Sequence, residues 1–276
     1  MNSGGITESR LLVIGHRGSS ASAPENTIAS FDMAQRDGAD GIEFDVRLAK
    51  DDMPVVFHDL NLERTVGVQG NVESFASTLV SQFYAGAWFN ERYPNLARES
   101  YVWERVPTLA QVFERYGSLR KLYVEMKCED ASRRARLAQA VVRLVREYGL
   151  AERVVVKSFE HDSLGEVKRL APEIRTAALF GRSWPNPFVP ARKIIAGAEA
   201  CGADEISLHR SLLRAATVRE ARRRGFEVLV WTVNSSVWLR RALALGLRAV
   251  FTDYPGWMRN YLFKRLLPAG ADRREN

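Results

Sequence analysis

The sequence predicts an α/β fold of the (β/α)8 barrel type, and three observations carry that expectation. Short β-branched runs alternate with longer stretches of helical period, the pattern of a parallel sheet whose strands are joined by helices. The strand-like runs number eight. Eight strand–helix units in about 250 residues is the arithmetic of a closed barrel. A single domain over 1–276 is therefore expected, with an insertion subdomain at about 61–106 after the second barrel strand.

The expected strands cover residues 11–16, 41–46, 122–127, 154–158, 176–180, 205–209, 228–233 and 249–252, each a short apolar run bounded by turn residues. Helical spacing fills the intervals at 27–36, 109–116, 133–147, 163–170, 191–200, 212–224 and 237–244, with a last helix near 257–267. One stretch breaks the alternation. Segment 41–60, GIEFDVRLAKDDMPVVFHDL, holds two strand-like runs separated by a polar turn too short for a crossover helix, so the second run returns antiparallel. A turn centred between Asp51 and Asp52 sets His58 opposite Asp45. The irregular segment that follows, with Gly67, Gly70, Gly86, Pro94 and several aromatics, reads either as a cover for a site or as a packing insertion.

With 46% hydrophobic and 26% charged residues, the chain falls outside the disordered and low-complexity classes. No run reaches about 18 consecutive apolar residues, and MNSGGITESR lacks the basic segment and apolar core of a secretion signal. Cys128 and Cys201 have no CxxC spacing, which fits two structural thiols in a reducing compartment, with the cytoplasm as the expected location. A net charge of +7 favours anionic partners.

A barrel carries its chemistry at the carboxyl ends of its strands. There the sequence places His16 and Arg17, then Glu43 and Asp45, His58 in the hairpin, Glu125 and Lys127, and later His209, Trp231, Asn234 and Asp253. Glu43 and Asp45 are two apart on one strand and so share a face, as do Glu125 and Lys127. Three carboxylates in one mouth repel one another unless a cation sits among them. All-oxygen donors suit a hard divalent ion, Mg²⁺ or Ca²⁺, better than Zn²⁺. The plainer reading pairs each acid with Arg17, Arg47 or Lys127 in separate salt bridges. Two histidines beside the acids supply groups of a type that ordinarily titrates near neutrality, one to take a proton and one to give it.

The run IGHRGSSASAPENTIASFDMAQRDGADGIEFDVRLAKDDMPVVFHD, residues 14–59, resembles the signature region of the glycerophosphodiester phosphodiesterase family. YVEMK, VKSF, VLVWTVN and FTDYP match its later blocks in order, so the resemblance spans about 14–255. It implies a barrel with a small insertion after the second strand. It implies hydrolysis of glycerophosphodiesters to an alcohol and glycerol 3-phosphate with one divalent cation. Residue by residue, it implies His16 and His58 as the acid/base pair, Glu43, Asp45 and Glu125 as metal ligands, and Arg17 and Lys127 as phosphate contacts. Trp231 would line the glycerol pocket, and Glu25 and Asn26 would support the first loop. The usual Asp-Gly of the hairpin turn is Asp51–Asp52 here, a departure that touches turn geometry.

Two alternatives keep part of this reading: a lysophospholipase D acting on membrane lysophospholipids, and a non-catalytic phosphate-binding scaffold. The last segment mixes Trp257, Tyr261 and Phe263 with Arg259, Lys264 and Arg265, so it either closes the barrel or makes peripheral contact with anionic lipid. The basic helix at 133–147 keeps helical apolar spacing and reads as a solvated outer face, with no nucleic-acid partner expected. His161 is expected to start a helix without chemistry, and His209 reads either as pocket-lining or as structural. The sequence does not distinguish choline, ethanolamine or glycerol as the leaving alcohol, nor does it fix the oligomeric state.

Overall fold

Alternation along each strand is what closes this barrel. The computed structural model describes residues 11–181 and 189–266. Its strands are β1 (Leu12–His16), β2 (Gly41–Leu48), β3 (Pro54–Val56), β4 (Lys121–Met126), β5 (Val154–Ser158), β6 (Arg175–Phe180), β7 (Glu205–His209), β8 (Glu227–Trp231) and β9 (Ala249–Thr252). They run in the order β1-β9-β8-β7-β6-β5-β4-β2, and β1 pairs with β2 to complete a ring of parallel strands. β3 lies outside the ring, antiparallel to β2.

Leu12, Ile14, Tyr123, Val155, Ala177, Leu229, Ala249 and Phe251 fill the interior. Residues of the opposite parity, such as Val13, Phe44, Val124 and Val230, face the helices in the larger outer core. Burial on both faces is why these strands read as near-continuous apolar runs. The same parity continues upward from the interior cluster, so His16, Glu43, Asp45, Glu125, Lys157, Trp231 and Asp253 are carried to the mouth by the registers of their strands. His16 is level with Glu43, Asp45 with Glu125, and Glu125 with Lys157.

The hairpin register differs by one from the expectation. Val46 pairs with Val56 and Leu48 with Pro54, so Asp45 stands opposite Phe57, whose N–H donates to the Asp45 carbonyl. The cause is the turn. Ala49 closes it by donating to the Met53 carbonyl, and Asp52 takes a left-handed φ of 57°, giving a three-residue loop centred on Asp51. Another difference lies at 212–224. The His209 ring accepts from Ser211 N and caps a 3-10 turn at Arg210–Leu212, so the helix proper is Ala215–Arg223.

Between β3 and the helix Leu109–Tyr116 the chain passes through three short helices, Glu63–Val66, Ser77–Val80 and Ala87–Arg92, and three 3-10 turns. One small apolar cluster, with Leu62, Val72 and Val80, packs this segment on Val55 and Phe57 of the hairpin. A second joins Phe89 and Tyr101 to Ala23 on the loop after β1. The segment therefore leans on two of the elements that carry functional candidates. The last helix, Pro255–Leu266, packs against β1, with Met258 fully buried. Residue 267, the expected end of that helix, lies outside the described residues, as does the N-terminal decapeptide. Among the described residues no helix is long and apolar enough to cross a membrane.

The amino end of the barrel holds a buried carboxyl, Glu205, beside a half-exposed arginine, Arg175. Glu205 accepts from Arg175 and from the Tyr123 hydroxyl. Burial outweighs the pull of Arg175 and pushes its carboxyl up to about 7. Between the ordinary carboxylate range and that value, the folded chain holds a proton that the unfolded chain releases, so stability falls as pH rises through this window. A shift from the usual 4.5 to about 7 corresponds to a loss of about 3 kcal/mol. Denaturant midpoints measured from pH 4.5 to 7.5 should show this decline, and Glu205→Gln should flatten it.

Candidate active site at the barrel mouth

The site is built from a loop that bends sharply after β1. Arg17 has a left-handed φ of 55°, uncommon for a residue with a Cβ, and the bend aims its N–H at Glu43 Oε2, 3.0 Å away. Gly18 makes the bend fit: a Cβ there would lie 2.2 Å from Ser30 Oγ, whose hydroxyl donates to the Arg17 carbonyl. Asn26, also left-handed, sends its amide to Asp45 Oδ2 at 2.9 Å, while Asp45 N donates back to Asn26 Oδ1.

Glu43, Asp45 and Glu125 meet as expected. Each offers a carboxylate oxygen within 4.8 Å of the other two, and all three side chains are buried. Three cations interleave with them. Arg17 Nε lies 3.2 Å from Asp45 Oδ2, Lys127 Nζ lies 2.6 Å from Glu125 Oε1 and 3.4 Å from Asp45 Oδ1, and Lys157 bridges Glu43 (2.9 Å) and Glu125 (3.3 Å). Burial pushes Asp45 and Glu125 up, yet Lys127 and Arg17 hold Asp45 well below the usual carboxylate range, and Lys157 and Lys127 hold Glu125 below it. The attraction runs both ways: against burial, Glu43 and Glu125 raise the Lys157 ammonium. Both acids are therefore ionised at neutral pH.

Arg47, the third candidate partner for these acids, goes elsewhere. Its guanidinium forms a fork with Glu129, at 2.7 and 2.9 Å, and its Nε donates to the His58 carbonyl. Lys157 was given no role in the sequence reading. Its signal was a lysine at inward parity in a run of valines.

The two histidines are each held by a carboxylate. His16 Nδ1 lies 2.7 Å from Asp253 Oδ1, and Asp253 also accepts from Ser20 and Asn234. His58 Nδ1 lies 2.6 Å from Asp59 Oδ1. Burial opposes ionisation of both acids, but these hydrogen bonds keep each below its ordinary range, so each accepts and its imidazole carries the Nδ1 proton. That commits Nδ1 and leaves Nε2 for proton exchange. Arg64 holds Asp59 from the far side and grips Glu25 at 2.7 and 3.0 Å, while Glu25 in turn holds Arg17 at 2.8 Å. Trp231 ends β8 between Phe159 and His209, with ring centroids 5.7 and 5.0 Å away. His161 starts its helix at His161–Leu170 and bonds the Leu179 carbonyl. Cys128 and Cys201 are free thiols.

The cluster fits a hard metal ion. Its donors are carboxylate oxygens alone, and an ion about 2.0–2.6 Å from each keeps such oxygens within roughly 5 Å of one another. With Arg17, Lys127 and Lys157 already balancing three carboxylates, a divalent ion would leave the mouth positive, as an anionic ester requires.

Acids able to hold a hard cation, fixed cations able to face an anion and two carboxylate-held imidazoles able to move protons are the groups that phosphoester hydrolysis calls for. Residues 16–257 match the model of the glycerophosphoryl diester phosphodiesterase family, and the chain belongs to that family and is a phosphoric diester hydrolase. A glycerophosphodiester phosphodiesterase of Bacillus subtilis (strain 168) is 32% identical over 256 residues, 91% of this chain and 86% of that one. A protein of the same name from Caldanaerobacter subterraneus subsp. tengcongensis is 33% identical over 258 residues, covering 92% of this chain and 99% of that one. Among solved structures, an Oleispira antarctica phosphodiesterase in complex with the product sn-glycerol-3-phosphate superposes with a TM-score of 0.79 at 29% identity, covering 91% and 96% of the two chains.

Removing Lys157 should expose how much the acids need a cation. Breaking a buried ion pair costs roughly 3–5 kcal/mol. Lys157→Met should lower Tm, and millimolar Mg²⁺ or Ca²⁺ should recover more of that loss than it adds to wild-type Tm. Equal losses with and without the ions would show that the acids gather no metal.

Proposed function

We propose that the chain hydrolyses glycerophosphodiesters to an alcohol and sn-glycerol 3-phosphate, with one Mg²⁺ or Ca²⁺ ion held by Glu43, Asp45 and Glu125. The carrying observation is the buried triad of acids beside two imidazoles, each fixed by its own carboxylate. The product named for the Oleispira antarctica structure supports the substrate class. An ion held by these three acids would supply Lewis-acid neutralisation of the phosphate charge.

A phosphodiester is a monoanion that repels nucleophiles, so Arg17 and Lys127 serve as phosphate contacts that stabilise the charge growing in the transition state. His16 and His58 form the acid/base pair. One Nε2 takes the proton of the nucleophile, which is water or the neighbouring glycerol hydroxyl, the latter giving a cyclic phosphate that water then opens to glycerol 3-phosphate. The other gives a proton to the departing alcohol oxygen. Asp253 and Asp59 keep the two rings in the tautomer that this exchange needs. Glu25 and Asn26 support the loop that presents Arg17, and Trp231 gives the glycerol moiety an apolar wall. A cytoplasmic setting accords with the two free thiols.

The lysophospholipase D and scaffold alternatives are not favoured, and the scaffold is directly testable. A coupled assay for glycerol 3-phosphate release should show His16→Ala and His58→Ala each slowed by about 10²–10⁴-fold with unchanged Tm. Near-normal rates in both variants would favour the scaffold. In the same assay, chelation should abolish turnover and Mg²⁺ or Ca²⁺ should restore it.

A further inference from the structure

Arg64 belongs to the insertion, in the short helix Glu63–Val66, yet its guanidinium bonds to the machinery of the mouth on two sides. Its Nε donates to Asp59 Oδ2, and the other oxygen of that carboxylate holds His58 Nδ1 at 2.6 Å. Its two terminal nitrogens face Glu25, Nη2 on Oε1 at 2.7 Å and Nη1 on Oε2 at 3.0 Å, and Glu25 Oε1 also accepts from Arg17 Nη1 at 2.8 Å. His58, Asp59, Arg64, Glu25 and Arg17 thus form one chain of alternating bases and acids, with Arg64 at its centre. We propose that Arg64 is a positioning residue that fixes the His58 ring and the Arg17 guanidinium relative to each other. This rests on the hydrolysis proposed above, in which His58 exchanges a proton and Arg17 contacts phosphate.

The arrangement calls for a guanidinium in particular. Asp59 and Glu25 approach separate edges of one planar fork, whereas a lysine ammonium concentrates its donors on a single atom and does not span both. The fork is itself held. Its Cζ lies over Trp88, 5.6 Å from the ring centroid, and Trp88 is fixed by its indole N–H on the Ala85 carbonyl at 2.9 Å and by the fully buried Phe89. Phe89 packs with Tyr101 and Ala23, and Ala23 lies on the loop that carries Glu25. On the other side Leu62 packs with Val55 and Phe57, and Phe57 precedes His58 in the hairpin. The insertion is therefore seated on both of the elements whose charged groups Arg64 ties together. Burial pushes Glu25 and Asp59 up, yet the Arg64 hydrogen bond to Glu25, and those of His58 and Arg64 to Asp59, keep both carboxyls below their ordinary range. Arg64 also lines an outer cavity of about 590 Å³ with Glu25 and Trp88, so small solutes can reach its position.

Steady-state kinetics of glycerol 3-phosphate release, with Tm measured alongside, test this. Arg64→Ala should lower kcat about tenfold or more through His58 and raise KM about threefold or more through Arg17. In an Asp59→Ala background the same substitution should lower kcat less than about threefold, because the carboxylate it acts through is gone. Arg64→Lys, which keeps the charge and the stem over Trp88, should stay below about a third of wild-type kcat. Millimolar methylguanidinium should raise kcat of Arg64→Ala about fivefold or more, and methylammonium should not. Equal losses of kcat from Arg64→Ala in the two backgrounds, equal rescue by the two cations, or wild-type kcat in Arg64→Lys would overturn the proposal. If Arg64→Ala does not fold, Arg64→Lys decides: a slowed enzyme with intact Tm supports the role, and a wild-type rate refutes it. Absence of wild-type turnover on every glycerophosphodiester would instead sink the underlying hydrolase reading.

Discussion

The interaction on which the rest depends is the meeting of three buried carboxylates, Glu43, Asp45 and Glu125, in one barrel mouth. Left alone they would repel and take up protons. Arg17, Lys127 and Lys157 interleave with them at 2.6–3.4 Å, and against burial these cations hold Asp45 and Glu125 below the usual carboxylate range. The arrangement has a functional corollary. Three cations already stand against the three carboxylates, so a divalent ion bound among them would add positive charge to the cluster.

Everything around the mouth serves that balance. The left-handed turn at Arg17 delivers its N–H to Glu43 and its guanidinium to Asp45, and Gly18 permits the turn by letting Ser30 approach. Asn26 reads both sides of Asp45. Beyond this inner set, Glu25, Arg64 and Asp59 connect Arg17 to His58 through a chain of charge-assisted hydrogen bonds. The insertion contributes Arg64 to that chain and packs on the hairpin and the first loop.

Most of the barrel was legible because its physics is local. Strand parity and helical period are written in successive residues, and the same parity put Glu43 with Asp45 and Glu125 with Lys127. The hairpin register was harder: the turn closes on Asp51 through a left-handed Asp52, where the expected signal would be a glycine. Lys157 passed unassigned because its role exists only through the level pairing with Glu125 on the adjacent strand. Arg64 was missed for a related reason, since its partner Glu25 lies 39 residues away, whereas Asp59 adjoins His58 in the sequence and lacked only a visible geometry for the ring. Asp253 stood among the polar strand ends, but its hold on His16 spans 237 residues of sequence.

Titration calorimetry of Mg²⁺ or Ca²⁺ into the wild-type protein and into Glu125→Gln tests the central claim most directly. The account predicts one divalent ion per chain in the wild type and loss of that binding in a variant that remains folded. Equal binding by the two proteins, or none by the wild type, would contradict it.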